Sequence, residues 1–313
     1  MKNPARSPHK IVGLTLAMTC LGITQAGWAG GPPPQYRSSW HLAIAEPGIN
    51  TASGEGCPIE TPDGLSLLIA SNRPGTLGGN DVWAADRASI GAPWSELRNL
   101  GEPINSVSAD FCPLPVFERS LMFVSERAVA GACGGGDIYI SRQSPAGGWS
   151  EPKMLACAPT GPNTPGPERS PSVVETWYGT FLIYSTNGGS GDHDIYISEM
   201  LDDGSFGPGR IISSLSTDYD DIMPNVRKLD SGRLEIVYSS NRPTWGRGNW
   251  AFLGGQDVYT SSAVFAGDHW TTPWNLGTNV NTAVDETRAT LSGDGARLHF
   301  GRSGDIYVSE RTR

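Results

Sequence analysis

Five times along this 313-residue chain an aspartate precedes Val or Ile and then an aromatic ring. The copies are Asp81-Val82-Trp83, Asp137-Ile138-Tyr139, Asp194-Ile195-Tyr196, Asp257-Val258-Tyr259 and Asp305-Ile306-Tyr307. Upstream of each lies an apolar run ending in small polar residues, such as Leu67-Leu68-Ile69-Ala70-Ser71 or Phe181-Leu182-Ile183-Tyr184-Ser185. The fifth such run is the shortened Leu298-His299-Phe300-Gly301-Arg302. Downstream, Trp94, Trp149 and Trp270 each open one more short segment, with Phe206 as a weaker counterpart. The runs are short, turn-bounded and rich in β-branched and aromatic residues, with no helical period between them, so each unit reads as a set of strands. The 40 Gly and 24 Pro supply the frequent turns that such a chain needs.

A period of roughly 50 to 60 residues is the size of one four-stranded blade, which predicts an all-β, five-bladed β-propeller. The fifth unit stops at Arg313 before its outer strand, and the missing piece stands at the other end of the chain. Trp40 to Gly56, carrying Ile49-Asn50-Thr51, matches Trp94 to Phe111, carrying Ile104-Asn105-Ser106, and Trp270 to Thr287, carrying Val280-Asn281-Thr282. The N-terminal strand therefore completes the last blade and removes both free sheet edges. On this reading residues 37–313 form the propeller, with blades at 57–110, 111–168, 169–221, 222–286, and 287–313 plus 37–56.

Ahead of it, residues 1–29 read as a secretory signal: Lys2, Arg6 and Lys10 form a basic region, Ile11 to Ile23 an apolar one, and small residues follow. Residues 30–36 read as a short leader. The apolar run is shorter than the about 20 residues that a membrane span requires. Cleavage would take three of the 23 basic side chains and none of the 32 acidic ones, leaving a net charge of −12. Such a surface repels phosphate backbones and argues against nucleic acid as a partner. The expected location is periplasmic or secreted, where the four remaining cysteines favour disulfides over metal ligation.

The turn Pro62-Asp63-Gly64, then Ser71-Asn72-Arg73-Pro74, then Gly78-Gly79-Asn80-Asp81-Val82-Trp83 make a pattern that recurs imperfectly across the whole propeller region. It resembles the WD40-like, TolB-type β-propeller repeat family. That resemblance implies the fold and says little of function, because propellers host many unrelated activities. Cys133 precedes the third strand of blade two and Cys157 follows its outer strand, two connections that a meander brings to one face. Relatives with cysteines at both places imply a Cys133–Cys157 bond. Cys57 and Cys112 occupy matching positions in neighbouring blades, and either pair across the interface or stay buried as free thiols.

Aligning the units exposes one acidic residue just before each innermost strand: Glu55, Asp110, Glu168, Asp221 and Glu286. These five carboxylates are expected at one mouth of the axial channel. There they would receive Ca²⁺ or another cation, or a basic ligand end, or else pair with Arg73, Arg127, Arg242 or backbone N–H groups. The repeated aspartates are expected to hold the turn before the third strand. Blade four departs from its siblings through an expanded loop, 243–253, in which Trp245, Arg247 and Trp250 form either a stacking platform for a sugar or peptide or a local plug. Both features should share one face. The function expected is binding of a glycan, a peptide or an envelope protein on that face, with no certain cofactor. The alternatives are a glycan-active hydrolase or lyase using two ring carboxylates, and a scaffold subunit of an envelope complex. No nucleophile elbow or metal-protease motif is present in the sequence.

Overall fold

The computed structural model describes residues 40–311 apart from 118, 190 and 244–253. The expected signal (1–29), the leader (30–36) and the aromatic residues Trp245, Arg247 and Trp250 lie outside the described residues. Twenty strands form five antiparallel four-stranded sheets. The chain begins with β1 (Ile44–Ala45) and runs through blade one as β2 (Glu55–Glu60), β3 (Ser66–Ser71), β4 (Asp81–Asp86) and β5 (Arg98–Asn99). Blade two is β6 (Asp110–Val116), β7 (Ser120–Ser125), β8 (Asp137–Arg142) and β9 (Lys153–Met154). Blade three is β10 (Glu168–Thr176), β11 (Gly179–Thr186), β12 (Asp194–Glu199) and β13 (Arg210–Ile211). Blade four is β14 (Asp221–Lys228), β15 (Leu234–Ser240), β16 (Asp257–Ala263) and β17 (Trp274–Asn275), and the last strands are β18 (Glu286–Leu291), β19 (Arg297–Arg302) and β20 (Asp305–Glu310).

The fifth sheet has the order β1-β20-β19-β18, so the expected N-terminal strand does close the ring. Ile44 pairs with Val308 and Ala45 with Tyr307. Beyond the strand, Trp40 bridges Arg311 and lies under its guanidinium at 5.1 Å. On the inner side Glu60 of β2 takes Arg297 of β19 at 2.6 Å and Arg87 at 3.1 Å, joining blade five to blade one through a buried carboxylate. The seam is thus held by backbone pairing and by charge, and neither sheet edge is left open.

Middle strands are packed on both faces between neighbouring blades, which is why they read as unbroken apolar runs instead of alternating ones. β7, β15 and β16 are buried along their whole length. In four of the five repeated motifs the aromatic finds a cross-strand ring, in β7, β11, β15 or β19. Phe123–Tyr139, Tyr184–Tyr196, Tyr238–Tyr259 and Phe300–Tyr307 sit 6.0–6.2 Å apart. Such pairs contribute roughly 0.5–1.5 kcal/mol each beyond burial. In blade one the pair is Ile69 opposite Trp83.

Each inner strand carries a bulge two residues after its opening carboxylate, at Cys57, Cys112, Ser170, Met223 and Arg288. All five hold a left-handed backbone, with φ between 49° and 56°. The bulge bends the strand where the five blades crowd the axis. Cys57 and Cys112 are bonded there, with Cα atoms 4.8 Å apart. Cys133 and Cys157 form the second disulfide at 5.6 Å. The expected Cys133–Cys157 bond is present, and of the two alternatives for Cys57 and Cys112 the structure has the pairing. Among the described residues no helix is long and apolar enough to cross a membrane.

Candidate functional site

The five carboxylates are the first residues of the inner strands and do not stand just ahead of them, because each strand begins one or two residues before the expected boundary, and all five are buried. A single local device holds each of them. The Thr or Ser four residues upstream donates both its backbone N–H and its hydroxyl to the carboxylate. The hydroxyl distances are 2.6 Å for Thr51–Glu55, 2.7 Å for Ser106–Asp110, 2.6 Å for Thr164–Glu168, 2.8 Å for Thr217–Asp221 and 2.6 Å for Thr282–Glu286. One residue earlier, the side-chain amides of Asn50, Asn105, Asn163 and Asn281 clip the backbone of the third strand, accepting from the residue after the repeated aspartate. Ser216 does the same in blade three. The recurring Asn-Thr/Ser pair, which aligns the units in the sequence, is thus a structural clip that fixes both the carboxylate and the third strand.

Four of the carboxylates also carry an arginine. Arg73 meets Glu55 at 3.0 Å, Arg127 meets Asp110 at 2.7 Å, Arg302 meets Glu286 at 2.8 Å, and Arg242 is paired with Asp221. Each guanidinium also donates to a carbonyl of the incoming loop, that of Ile49, Ile104, Val280 or Leu215, and lies over the aromatic residues of its own blade. The ring is therefore a set of blade staples. Four of the five carboxylates are turned into their own loops and paired with arginine there. Among the described residues no three His, Cys, Asp or Glu side chains stand close enough to hold a metal ion.

Blade three breaks the pattern. Where blades one, two and four have arginine two residues past the second strand, and blade five has it as that strand's last residue, blade three has Gly188, with φ +62° and open space where a side chain would begin. The phenol of Tyr184 takes over one of the missing bonds and donates to the Pro162 carbonyl at 2.8 Å. Glu168 is left with its Thr164 contacts on one oxygen and no partner for Oε2. Burial, with the Asp137 charge adding to it, pushes its carboxyl up to about 8, against the opposing hydrogen bonds from Thr164 and Thr186. The neighbouring Asp194 is pushed up to about 6 by burial and by the charge of Asp221.

The axis itself is filled at the bulge level. Ser170 donates to the Cys112 sulfur at 3.4 Å, and Arg288 reaches across to the carbonyls of Pro224 at 3.1 Å and Pro171 at 3.4 Å. No carboxylate pairs with Arg288 among the described residues, its Nε has no partner, and burial alone lowers its pKa to about 9. The repeated aspartates act as expected where their contacts are seen: Asp81 accepts from Leu77 N–H at 2.8 Å and Asp137 from Cys133 N–H at 2.9 Å.

An open recess does exist on the carboxylate face, off the axis. Blade five joins β19 to β20 by only Ser303 and Gly304, both at positive φ, where blade one spends residues 72–80 and blade two residues 126–136. The short turn leaves a cleft of about 310 Å³ between blades five and one. Asp285, Thr287 and Ser303 line it with exposed or half-buried polar groups, beside the edge of Arg302 and the buried Glu55. Asp285 also accepts the backbone N–H of Gln256 at 2.7 Å, and a Cβ on Gly255 would collide with it. The C-terminal stem of the expanded blade-four loop is thereby fixed against the wall of the cleft. Glu55 and the stem of that loop thus border a recess that the repeat pattern does not reveal.

Solved structures that match the chain are similarly built propellers. An endo-arabinase from Bacteroides thetaiotaomicron matches at 15% identity and TM-score 0.57, covering 88% of this chain and 98% of its own. An α-L-arabinofuranosidase from Lactobacillus brevis matches at 14% identity and 0.55, covering 86% and 92%. An N-acetylgalactosamine deacetylase from F. plautii, solved with blood group B trisaccharide, matches at 10% identity and 0.55, covering 88% and 94%. At such identities the likeness is one of fold. No protein-family model and no curated protein matches the chain. The five-bladed propeller expected from the repeat is thus present, whereas its placing with the WD40-like, TolB-type family gains no support: these neighbours are glycan-acting propellers.

Proposed function

We propose that this chain is a glycan-directed propeller working in the periplasm or outside the cell, and that it binds neutral carbohydrate in the cleft between blades five and one. The observation that carries this reading is the cleft itself. It is open, it is lined by carboxylates, hydroxyls and an arginine edge, and Gly255 and Gln256, at the C-terminal stem of the blade-four loop, pack against its Asp285. Sugar sites combine such polar groups with an apolar stacking surface, which Trp245 and Trp250 would supply. The activities of the matched propellers favour a carbohydrate over a peptide or protein occupant. An exported location agrees with the two disulfides.

The second reading, a glycan-active hydrolase, is favoured by those same names and by one further observation. Glu168 keeps its proton to about 8, as a general acid must. Against it, hydrolysis needs two carboxyl groups that reach the sugar, and all five ring carboxyls are buried, four of them under arginine. Binding without cleavage is the reading we adopt.

Electrophoresis through gels containing soluble arabinan, xylan or β-glucan checks it. The mature protein is expected to be retarded by at least one of them. The Trp245→Ala/Trp250→Ala protein should bind that polysaccharide more weakly by about 1–3 kcal/mol, as for buried aromatic anchors, and Asp285→Asn should weaken it further. Free migration in every gel would overturn the proposal.

A further inference from the structure

The opposite face of the propeller carries a feature that neither the ring nor the cleft uses. The β10–β11 hairpin turns at Trp177 and Tyr178, at the far end of the strand from Glu168. Trp177 is 92% exposed and Tyr178 75%. Tyr178 meets Phe265 of the β16–β17 connection edge-on at 6.2 Å, and Phe265 meets His269 at 6.1 Å in the same manner. Phe265 is itself 41% exposed, and its neighbour Val264 more so. An aromatic ridge therefore crosses from blade three to blade four in solvent. Single exposed apolar residues are ordinary on a protein surface, but a contiguous run of rings built from two separate loops marks a contact site.

We infer that this ridge is a second carbohydrate-binding surface, taking the faces of neutral sugar rings on Trp177 and Tyr178. The charges around it select the occupant. Glu175 stands two residues before Trp177, Glu199 Oε1 comes within 3.7 Å of the position a Cβ on Gly179 would take, and Asp268 adjoins His269. All three are exposed. Carboxylates beside aromatic faces accept sugar hydroxyls, and they repel phosphate-bearing nucleic acid and anionic lipid. The ridge amounts to a few side chains, small for a stable protein interface of about 1,200 Å² or more but matched to a few sugar units. The inference shares the glycan class of the proposed function and differs from it in site, so the two can fail separately.

The test uses the whole mature protein and the same polysaccharide gels, with Trp177→Ala/Tyr178→Ala compared against Trp245→Ala/Trp250→Ala. Losing the exposed pair is expected to weaken retention about tenfold with the melting temperature unchanged. Trp177→Phe/Tyr178→Phe, which keeps the stacking faces, should restore most of the retention. If the blade-three variant is retained like the parent while the blade-four variant is not, the ridge is no sugar site and the cleft stands alone. If the blade-three variant alone loses retention, the ridge stands and the cleft does not. Loss of binding to phosphatidylglycerol vesicles in the Trp177 variant, with no change on polysaccharide, would overturn the inference in favour of a membrane contact.

Discussion

Glu168→Gln is expected to melt on the order of 5–10 °C above the parent at pH 8 and level with it at pH 4.5 and below. The reason is the missing arginine of blade three. A carboxyl whose folded pKa is raised to about 8 holds its proton in the folded chain between its ordinary value of 4.5 and about 8, while the unfolded chain has released it. The stability linked to that proton is complete below pH 4.5 and is lost as the pH rises through about 8. At roughly 1.4 kcal/mol per unit, the displacement sets a ceiling of a few kcal/mol, and each kcal/mol moves the melting point of a chain this size by about 2–4 °C. Glutamine keeps an oxygen that accepts from the Thr164 N–H and O–H, and it has no acidic proton to lose. Thermal melts of both proteins from pH 4.5 to 8.5 check this. A Glu168→Gln protein less stable than the parent throughout would mean that the carboxylate form is paired after all.

Arg127→Ala should cost the most of any ring substitution, about 3–5 kcal/mol, because it strands Asp110 in the interior with only the Ser106 contacts. It also frees the carbonyl of Ile104, which the same guanidinium holds at 2.6 Å. Arg127→Met combined with Asp110→Asn removes the charge from both sides and is expected to recover more than half of that loss. Urea unfolding of the single and paired variants makes the comparison, and a single-variant loss below about 1 kcal/mol would put the pair with weakly coupled surface ions. Arg288 is the converse case. Among the described residues it is a buried cation with no carboxylate beside it, and it ties blade five to blades three and four through carbonyls.

The blade count and the closing strand were legible because they rest on a five-fold repeat and on two terminal fragments that complete each other. The burial of Leu67, Phe123 or Val237 follows from the same pattern. The acidic positions were legible as a set, yet their environment was not. Whether Asp110 faces a ligand or Arg127 depends on where a loop two strands away returns, and sequence spacing does not fix that. Blade three illustrates the difference. Asn187-Gly188 stands where the siblings have an arginine, and the consequence for Glu168 emerges only once the Tyr184 phenol is seen on the Pro162 carbonyl. The cleft was hidden for another reason. It is made by what blade five lacks, the long connection that Ser303 and Gly304 replace. Trp177 and Tyr178 went unnoticed because a hairpin turn with two aromatics resembles a strand end until its exposure is known.

Incubating the mature protein with soluble arabinan, xylan and β-glucan, and following bound polysaccharide and released reducing ends in the same samples, separates binding from cleavage most directly. The propeller is expected to hold at least one of these polysaccharides while reducing ends stay at the level of the protein-free control. A steady release of reducing ends that Glu168→Gln abolishes would contradict it and make the buried ring a catalytic one.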